Sequence, residues 1–387
     1  MNKFSSMFGQ ILHIFSKTEF YATVKELKAE KGAKGFTCWE QFVAMLFCQL
    51  GQARSLREIC GGLASCMGKL KHLGIKGAPC RSTLSYANEH RPWQVYEKMF
   101  YHLLGKCQAI APGKRKFRFR NKLFSLDASL IELCASLFDW ARYKKAKGAV
   151  KLHLLLDHEG YLPVFVNVTE GHVHEVTIAQ QLSFPPGAIV VIDRGYLDYR
   201  MYSRWTDQGV YFVTRQKGNA LFRVVGDRPL PRGRHILADQ LIEFTEYYSK
   251  KKCSHTLRRI EMWDEEKNET IVFITNHFAF GATTVAAIYK DRWQIEIFFK
   301  IIKQNLKIKT FVGTSYNALM IQIWTALIAI LILKYLTFRS TFSWSVSNLV
   351  AMLRYNLFTY RDLWEWINSP FEVPPIVPEG EQLALGF

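Results

Sequence analysis

The sequence predicts an α/β protein in three parts: a helical N-terminal region, a mixed strand-and-helix region with a β-rich insertion, and a helical tail. Three observations lead there. Apolar residues recur every three or four positions up to about residue 110, the period changes from Leu123 onward, and strand-like runs then alternate with helical ones.

Composition narrows the class. The chain has 387 residues, 49% hydrophobic and 22% charged, an ordinary balance for a folded protein. Lys and Arg number 51 against 33 Asp and Glu, a formal +18, and nucleic acid is the first partner such an excess suggests. The eight cysteines contain no C-x-x-C pair, which argues against a zinc ribbon or a disulfide framework and for free thiols in a reducing cytosol. The N-terminal MNKFSSMFGQILHIF lacks a small-residue cleavage site and does not read as a signal peptide. The apolar run ALMIQIWTALIAILIL (318–333) gives only about 16 residues where a bilayer needs roughly 20, so it is expected as a buried core helix rather than a membrane span.

Helices are expected at WEQFVAMLFCQL (39–50), in SLREICGGLA from Ser55, and at WQVYEKMFYHLL (93–104). SLREICGGLA and RSTLSYANEHR (81–91) could form a helix-turn-helix offering Arg81, Ser85, Asn88 and Arg91 to DNA; a plain helical bundle with a solvated face fits the same pattern. The stretch GKRKFRFRNK (113–122) interleaves cations with two phenylalanines, as either a solvated linker or a backbone-tracking arm, and marks a domain boundary in both cases.

Strands are expected at 123–133, 150–157 and 161–168, the last two joined by a hairpin at 158–160. A helix near 174–182 leads to AIVVID (188–193), a continuous apolar run suited to a buried parallel strand; a helix at 199–208 and a strand at 210–214 follow. Residues 216–276 carry many charges and read as a mainly β insertion. The predicted organisation is 1–112 helical, 113–122 linker, 123–215 and 277–340 two parts of one catalytic domain, 216–276 insertion, and 341–387 helical tail with a Pro-rich, poorly ordered end.

The chemistry concentrates in YKDRWQIEIFFKIIK (289–303). At about 100° per residue, Tyr289, Arg292, Glu296 and Lys303 fall within roughly a 60° arc of a helix whose remaining surface is largely apolar. An Arg292–Glu296 pair would account for two of them, but leaves Tyr289 and Lys303 aligned by accident. Two further carboxylates occupy positions unfavourable to charge: Asp127 within a strand, and Asp193 at the carboxyl end of another, where ligands of open α/β sheets commonly bind. Two strand-borne Asp and one helix-borne Glu can hold a pair of hard divalent cations for phosphoryl transfer, with Tyr289, Arg292 and Lys303 on the flanking phosphates.

The Tyr, Arg, Glu, Lys spacing (Y-x2-R-x3-E-x6-K) resembles the signature of IS4-family bacterial DDE transposases. Asp127, Asp193, the D-R-G-Y stretch at 193–196 and Thr275-Asn276 match as well, over about residues 120–335, and the N-terminal SLREICGGLA and RSTLSYANEHR also look like that family's DNA-binding domain. The resemblance implies an RNase H-like catalytic domain, with Asp127, Asp193 and Glu296 holding two Mg2+ or Mn2+ ions. It also implies hydrolysis of one strand at the element end followed by attack of the freed 3′-OH, and a bacterial protein of the cytoplasm and nucleoid with no membrane role. Partners would be double-stranded DNA, at the element's terminal inverted repeats and at the target, and a second copy of the chain in the synaptic complex.

In the branch with this signature the attack forms a hairpin and a tryptophan holds a flipped base, for which Trp263 and Trp293 are candidates unless they are simply packed. Ala128-Ser129 departs from the Gly-Thr often found after the first Asp, and Asp139, Asp157 and Asp198 are competing carboxylates. EGHVHE (170–175) lacks a third zinc ligand at a recognisable spacing; in the family a His followed by an acidic residue occurs near here and would orient the site. A catalytically silent DNA-binding protein derived from such an enzyme is the alternative, although a pure binder gains nothing by aiming three carboxylates at phosphates.

Overall fold

Hydroxyl residues start the first four helices. Ser6, Ser16, Thr37 and Ser55 accept from the backbone N–H three residues on and open α1 (Met7–Leu12), α2 (Lys17–Glu26), α3 (Cys38–Leu50) and α4 (Leu56–Ser65). At α3 the Glu40 side chain returns the bond to Thr37, completing a capping box. A short 3-10 turn (Leu70–Leu73) leads to α5 (Arg81–His90) and α6 (Gln94–Ile110). The computed structural model describes residues 5–372 apart from 67, 112, 114, 115, 134–137, 139, 141, 145, 146, 219, 232–234 and 306–311. Cys134, Asp139, most of the Pro-rich end and parts of both basic stretches, 113–122 and 228–234, lie outside the described residues.

Among the described residues ten strands form one mixed sheet: β1 (Leu123–Leu133), β2 (Arg142–Lys144), β3 (Lys147–Asp157), β4 (Leu162–Glu170), β5 (Ile189–Ile192), β6 (Tyr211–Arg215), β7 (Phe222–Asp227), β8 (Ile236–Phe244), β9 (Leu257–Asp264) and β10 (Glu269–Thr275). The spatial order is β3-β1-β5-β6-β10-β9-β8-β7, with β2 and β4 also paired to β3. β1 is antiparallel to β3 and parallel to β5, β5 is parallel to β6, and β7 to β10 extend the far edge as an antiparallel run. The five strands expected before residue 216 are all present; β2 was not foreseen, being three residues without a periodic pattern.

Strand β5 is buried on both faces, which explains its unbroken apolar run. Its even-numbered residues Val190 and Ile192 join Phe124 and Leu126 in a core that includes residues of α7 (Glu175–Ala179) and α8 (Tyr199–Asp207). Its odd-numbered residues Ile189 and Val191 join Leu123 in a second core against α10 (Ala282–Asp291). A short helix, α9 (Tyr247–Lys252), packs against α8 and β8. The largest core gathers the N-terminal helices, α11 (Trp293–Asn305), α12 (Tyr316–Arg339), α13 (Val346–Asn356) and α14 (Leu363–Asn368).

Helix α12 is apolar around its whole circumference and is therefore covered on all sides, by α3, α5, α6 and α13 among others. Among the described residues it is the one helix long and apolar enough to cross a membrane, and 89% of its most apolar stretch is buried inside the fold.

Candidate active site

Asp127 and Asp193 come together because two strands run parallel. Leu126 pairs with Ile192 as the last parallel pair, so the next residue along each chain is a carboxylate: Asp127 inside the longer β1 and Asp193 just past the carboxyl end of β5. The Asp193 carboxylate accepts from Gly195 N–H at 2.7 Å, and its own carbonyl accepts from Thr214 Oγ1 on β6 at 3.2 Å. Gly195 has to be small: a Cβ there would lie 2.9 Å from Asp193 Oδ1 and 3.5 Å from Glu175 Oε2.

The segment 289–303 is two helices rather than one. α10 ends at Asp291 and α11 begins at Trp293, with Arg292 between them at φ −51° and ψ −31°, still helical, so the stripe of functional groups survives the break. Arg292 Nη2 donates to Glu296 Oε1 at 2.6 Å, Nη1 lies 3.6 Å from Asp127 Oδ2, and the guanidinium stands 5.5 Å from the Tyr289 ring centre. The pairing within the helix thus exists, but it also reaches Asp127 across the helix–sheet interface. Lys303 crosses the same gap and donates to Ser129 Oγ at 2.6 Å. Tyr289 packs its ring against Phe273 of β10.

Burial pushes the Asp127 carboxyl up to about 7; the Ala128 N–H and Arg292 act against it, and the charges of Asp193 and Glu175 add to it. Burial acts to lower the Arg292 pKa, yet Tyr289, Glu296 and Asp127 together hold it above the ordinary value. The Tyr196 hydroxyl is buried without a hydrogen-bond partner among the described residues, and its pKa is raised by burial and by the Asp127, Glu175 and Asp193 carboxylates. An all-oxygen cluster of this kind, with one carboxyl driven toward neutrality by burial and then by the neighbouring carboxylates, suits a hard divalent cation. Among the described residues no three His, Cys, Asp or Glu side chains are gathered closely enough to hold an ion jointly, and Glu296 is paired with Arg292.

Glu175 was missed as a site residue. It opens α7, its Oε1 lies 3.3 Å from Lys151 Nζ, and it borders the two aspartates. The acidic residue after His174 was the available signal, but spacing alone could not say which carboxylate it would meet. The competing carboxylates have local duties: Asp157 lies 3.3 Å from Lys122 and accepts from Glu159 N–H, and Asp198 caps α8. His153 is buried against Thr169 with its pKa lowered by burial to about 4, and His172 is exposed beside Glu170.

An open cleft of about 320 Å³ is lined by Asp127, Ser129, Glu296 and Lys303. A larger one, about 680 Å³, is lined by Trp263, Trp293, Tyr289, Arg292 and Arg215, so both tryptophans share a cleft that also touches Arg292. Trp293 is 59% exposed and Trp263 half-buried. In the N-terminal region the expectation is corrected: of Arg81, Ser85, Asn88 and Arg91, the first two are exposed on α5. Asn88 is buried, accepting from Gln41 Nε2 at 2.8 Å, and Arg91 is half-buried, donating to Gln41 Oε1 at 3.3 Å and to the Phe36 carbonyl. Both fill the α3–α5 interface, where a buried polar group needs a partner.

Residues 118–332 match the transposase DDE domain family, and residues 3–76 match a domain family of unknown function, DUF4372. The chain is 28% identical over 325 residues to a Sinorhizobium fredii protein bearing a transposase name, y4zB, covering 83% of this chain and 88% of that one. It is 29% identical over 256 residues to a Geobacillus stearothermophilus protein named as a transposase for insertion sequence element IS5377, covering 66% and 67%. Among solved structures, a cryo-EM structure of the piggyBac transposase synaptic complex with hairpin DNA is similar at a TM-score of 0.48 and 9% identity, over 95% of this chain and 86% of that chain.

Proposed function

This chain belongs to the transposase DDE domain family, and from that premise we propose that it moves an insertion sequence by cutting DNA at the element's ends and joining the freed 3′ ends to a target. The IS4-type resemblance of its sequence agrees with these relatives. Family membership makes it a DNA-cleaving, strand-transferring enzyme that depends on a divalent metal.

One observation supports the assignment of residues above the rest: Asp127 and Asp193 lie in register on parallel strands, and Arg292 ties the helix of Glu296 to that same point. Asp127, Asp193 and Glu296 would hold two Mg2+ or Mn2+ ions. When bound, such a pair activates the attacking oxygen and stabilises the leaving oxygen of an in-line phosphoryl transfer.

Arg292 balances the charge of Asp127 and Glu296 and, with Tyr289 and Lys303, meets the phosphates flanking the scissile bond. Trp263 and Trp293 offer aromatic surface in one cleft, suited to a base unstacked during hairpin formation. The five strands β4-β3-β1-β5-β6 support an RNase H-like reading of 123–215 with 277–340, extended by the insertion 216–276. Residues 1–112 act on this reading as the DNA-binding region through Arg81 and Ser85, with 113–122 as the basic linker, and two chains pair the two ends.

The test incubates the protein with an end fragment and Mg2+ or Mn2+. Nicking at the end that disappears with chelator and in Glu296→Gln supports the reading. End-specific binding without any cut under every metal condition would leave the silent DNA-binding alternative.

A further inference from the structure

Beside the α10–α11 junction, on the face of β1 that carries Asp127, a line of buried hydrogen bonds plays no part in the proposed chemistry. Ser125 Oγ is 2.7 Å from His158 Nε2, and His158 Nδ1 is 2.7 Å from Asp291 Oδ2. Lys116 donates to Asp291 Oδ1 at 2.6 Å, and the Tyr161 hydroxyl donates to Oδ2 at 3.1 Å. Ionised Asp291 only accepts, so His158 Nδ1 carries a proton. Burial alone would raise the Asp291 carboxyl, but His158 and Lys116 outweigh it and hold it below its ordinary range. The residue types are those of a hydrolytic triad, yet Ser125 is fully buried and no reacting atom can reach its oxygen.

We propose that Ser125, His158 and Asp291 are positioning residues that lock the α10–α11 junction onto β1 and so fix Glu296 relative to Asp127. Two neighbour relations place the lock. Ser125 and Asp127 are two residues apart on one strand and face the same side of the sheet, and Asp291 directly precedes Arg292. The relay is therefore a second bridge across the interface that Arg292 already spans to Asp127. The Arg292 bridge uses the carboxylates that must be released for cations and phosphates; the relay uses none of them, so it holds the junction when that bridge opens. The basic arm is fastened at both ends of α10, through Lys116 to Asp291 at the junction and through Phe119, whose ring centre lies 4.8 Å from that of Phe280, ahead of the helix.

The inference rests on the transposase reading for its chemistry and on the hydrogen bonds for its mechanics. Full-length Ser125→Ala, His158→Ala and Asp291→Asn are compared with wild type for melting, binding to an end fragment, single-turnover cleavage, and amide exchange over 289–296. The expected result is folded protein with end binding within about twofold, cleavage slower by ~10–10²-fold as for a roughly 1 Å misplacement, and exchange at the junction faster by about tenfold. Imidazole added to His158→Ala restores part of the cleavage, which general destabilisation would not allow. Wild-type rates and unchanged exchange in the folded variants overturn the proposal, as does a loss that only tracks the folded fraction and is not relieved by imidazole. Ser125→Ala removes a single oxygen and decides the matter if the other two do not fold. A wild-type protein that cuts no end DNA defeats the transposase reading instead, and exchange at 289–296 still judges the lock.

Discussion

Asp127 and Asp193 each follow the last parallel pair of β1 and β5, Leu126 with Ile192, so that Asp127 within β1 neighbours Asp193 at the carboxyl end of β5. Arg292 Nη1 lies 3.6 Å from Asp127 Oδ2 and carries a cation to this corner from the helix side.

Asp127→Asn, Asp193→Asn and Glu296→Gln should each lower strand cleavage by at least ~10³-fold, about 4 kcal/mol of barrier, while leaving binding to end DNA in place. Gel assays of nicking and of mobility shift read the two quantities separately. Full cutting by any one variant would remove that residue from the site.

The raised Asp127 carboxyl makes metal-free stability depend on pH. Its proton is held up to about 7 in the fold against an ordinary value of 3.8, so folding takes up a proton between these values. The stabilisation is complete below about 3.8 and is lost as pH rises through about 7. Asp127→Asn should accordingly melt higher than wild type at pH 8 without metal, with the gap closing toward pH 4. Added Mg2+ should raise the wild-type Tm and leave the variant unmoved. Thermal melts across that pH range check both signs.

Lys303 donates to Ser129 Oγ at 2.6 Å across the helix–sheet gap. Lys303→Ala should weaken end-complex formation and strand joining, and should reduce the salt dependence of binding by about one phosphate contact. A salt titration of affinity that is parallel to wild type would take Lys303 off the phosphate.

Trp263 and Trp293 share one cleft, so loss of the stacking partner should affect an unstacked base by about 1–3 kcal/mol. With 2-aminopurine near the cleaved end, Trp293→Ala or Trp263→Ala should change the fluorescence signal and reduce hairpin yield more than first-strand nicking. Equal loss of both steps would point to packing.

Arg258 is 1% exposed and makes a two-pronged bridge to Asp239, with distances of 2.8 and 2.6 Å, while its Nη1 donates to the His277 carbonyl at 3.2 Å just ahead of α10. Arg258→Met takes away this two-pronged partner of the buried Asp239, leaving Arg228 Nε at 3.7 Å, and should destabilise the fold by about 3–5 kcal/mol in urea unfolding.

By itself the sequence determined the elements and the chemistry they carry. Strand and helix periods, and the identities of Asp127, Asp193, Glu296, Tyr289, Arg292 and Lys303, are local properties of short stretches, and local propensity and side-chain chemistry are readable there. Tertiary structure alone decided which of these meet. The break at Arg292, the parallel register that sets Asp127 beside Asp193, the approach of Glu175, the inward turn of Asn88 and the Ser125–His158–Asp291 relay all depend on contacts between segments far apart in the chain. Such contacts are fixed by strand pairing and core packing, and these leave no periodic trace in the residues they bring together.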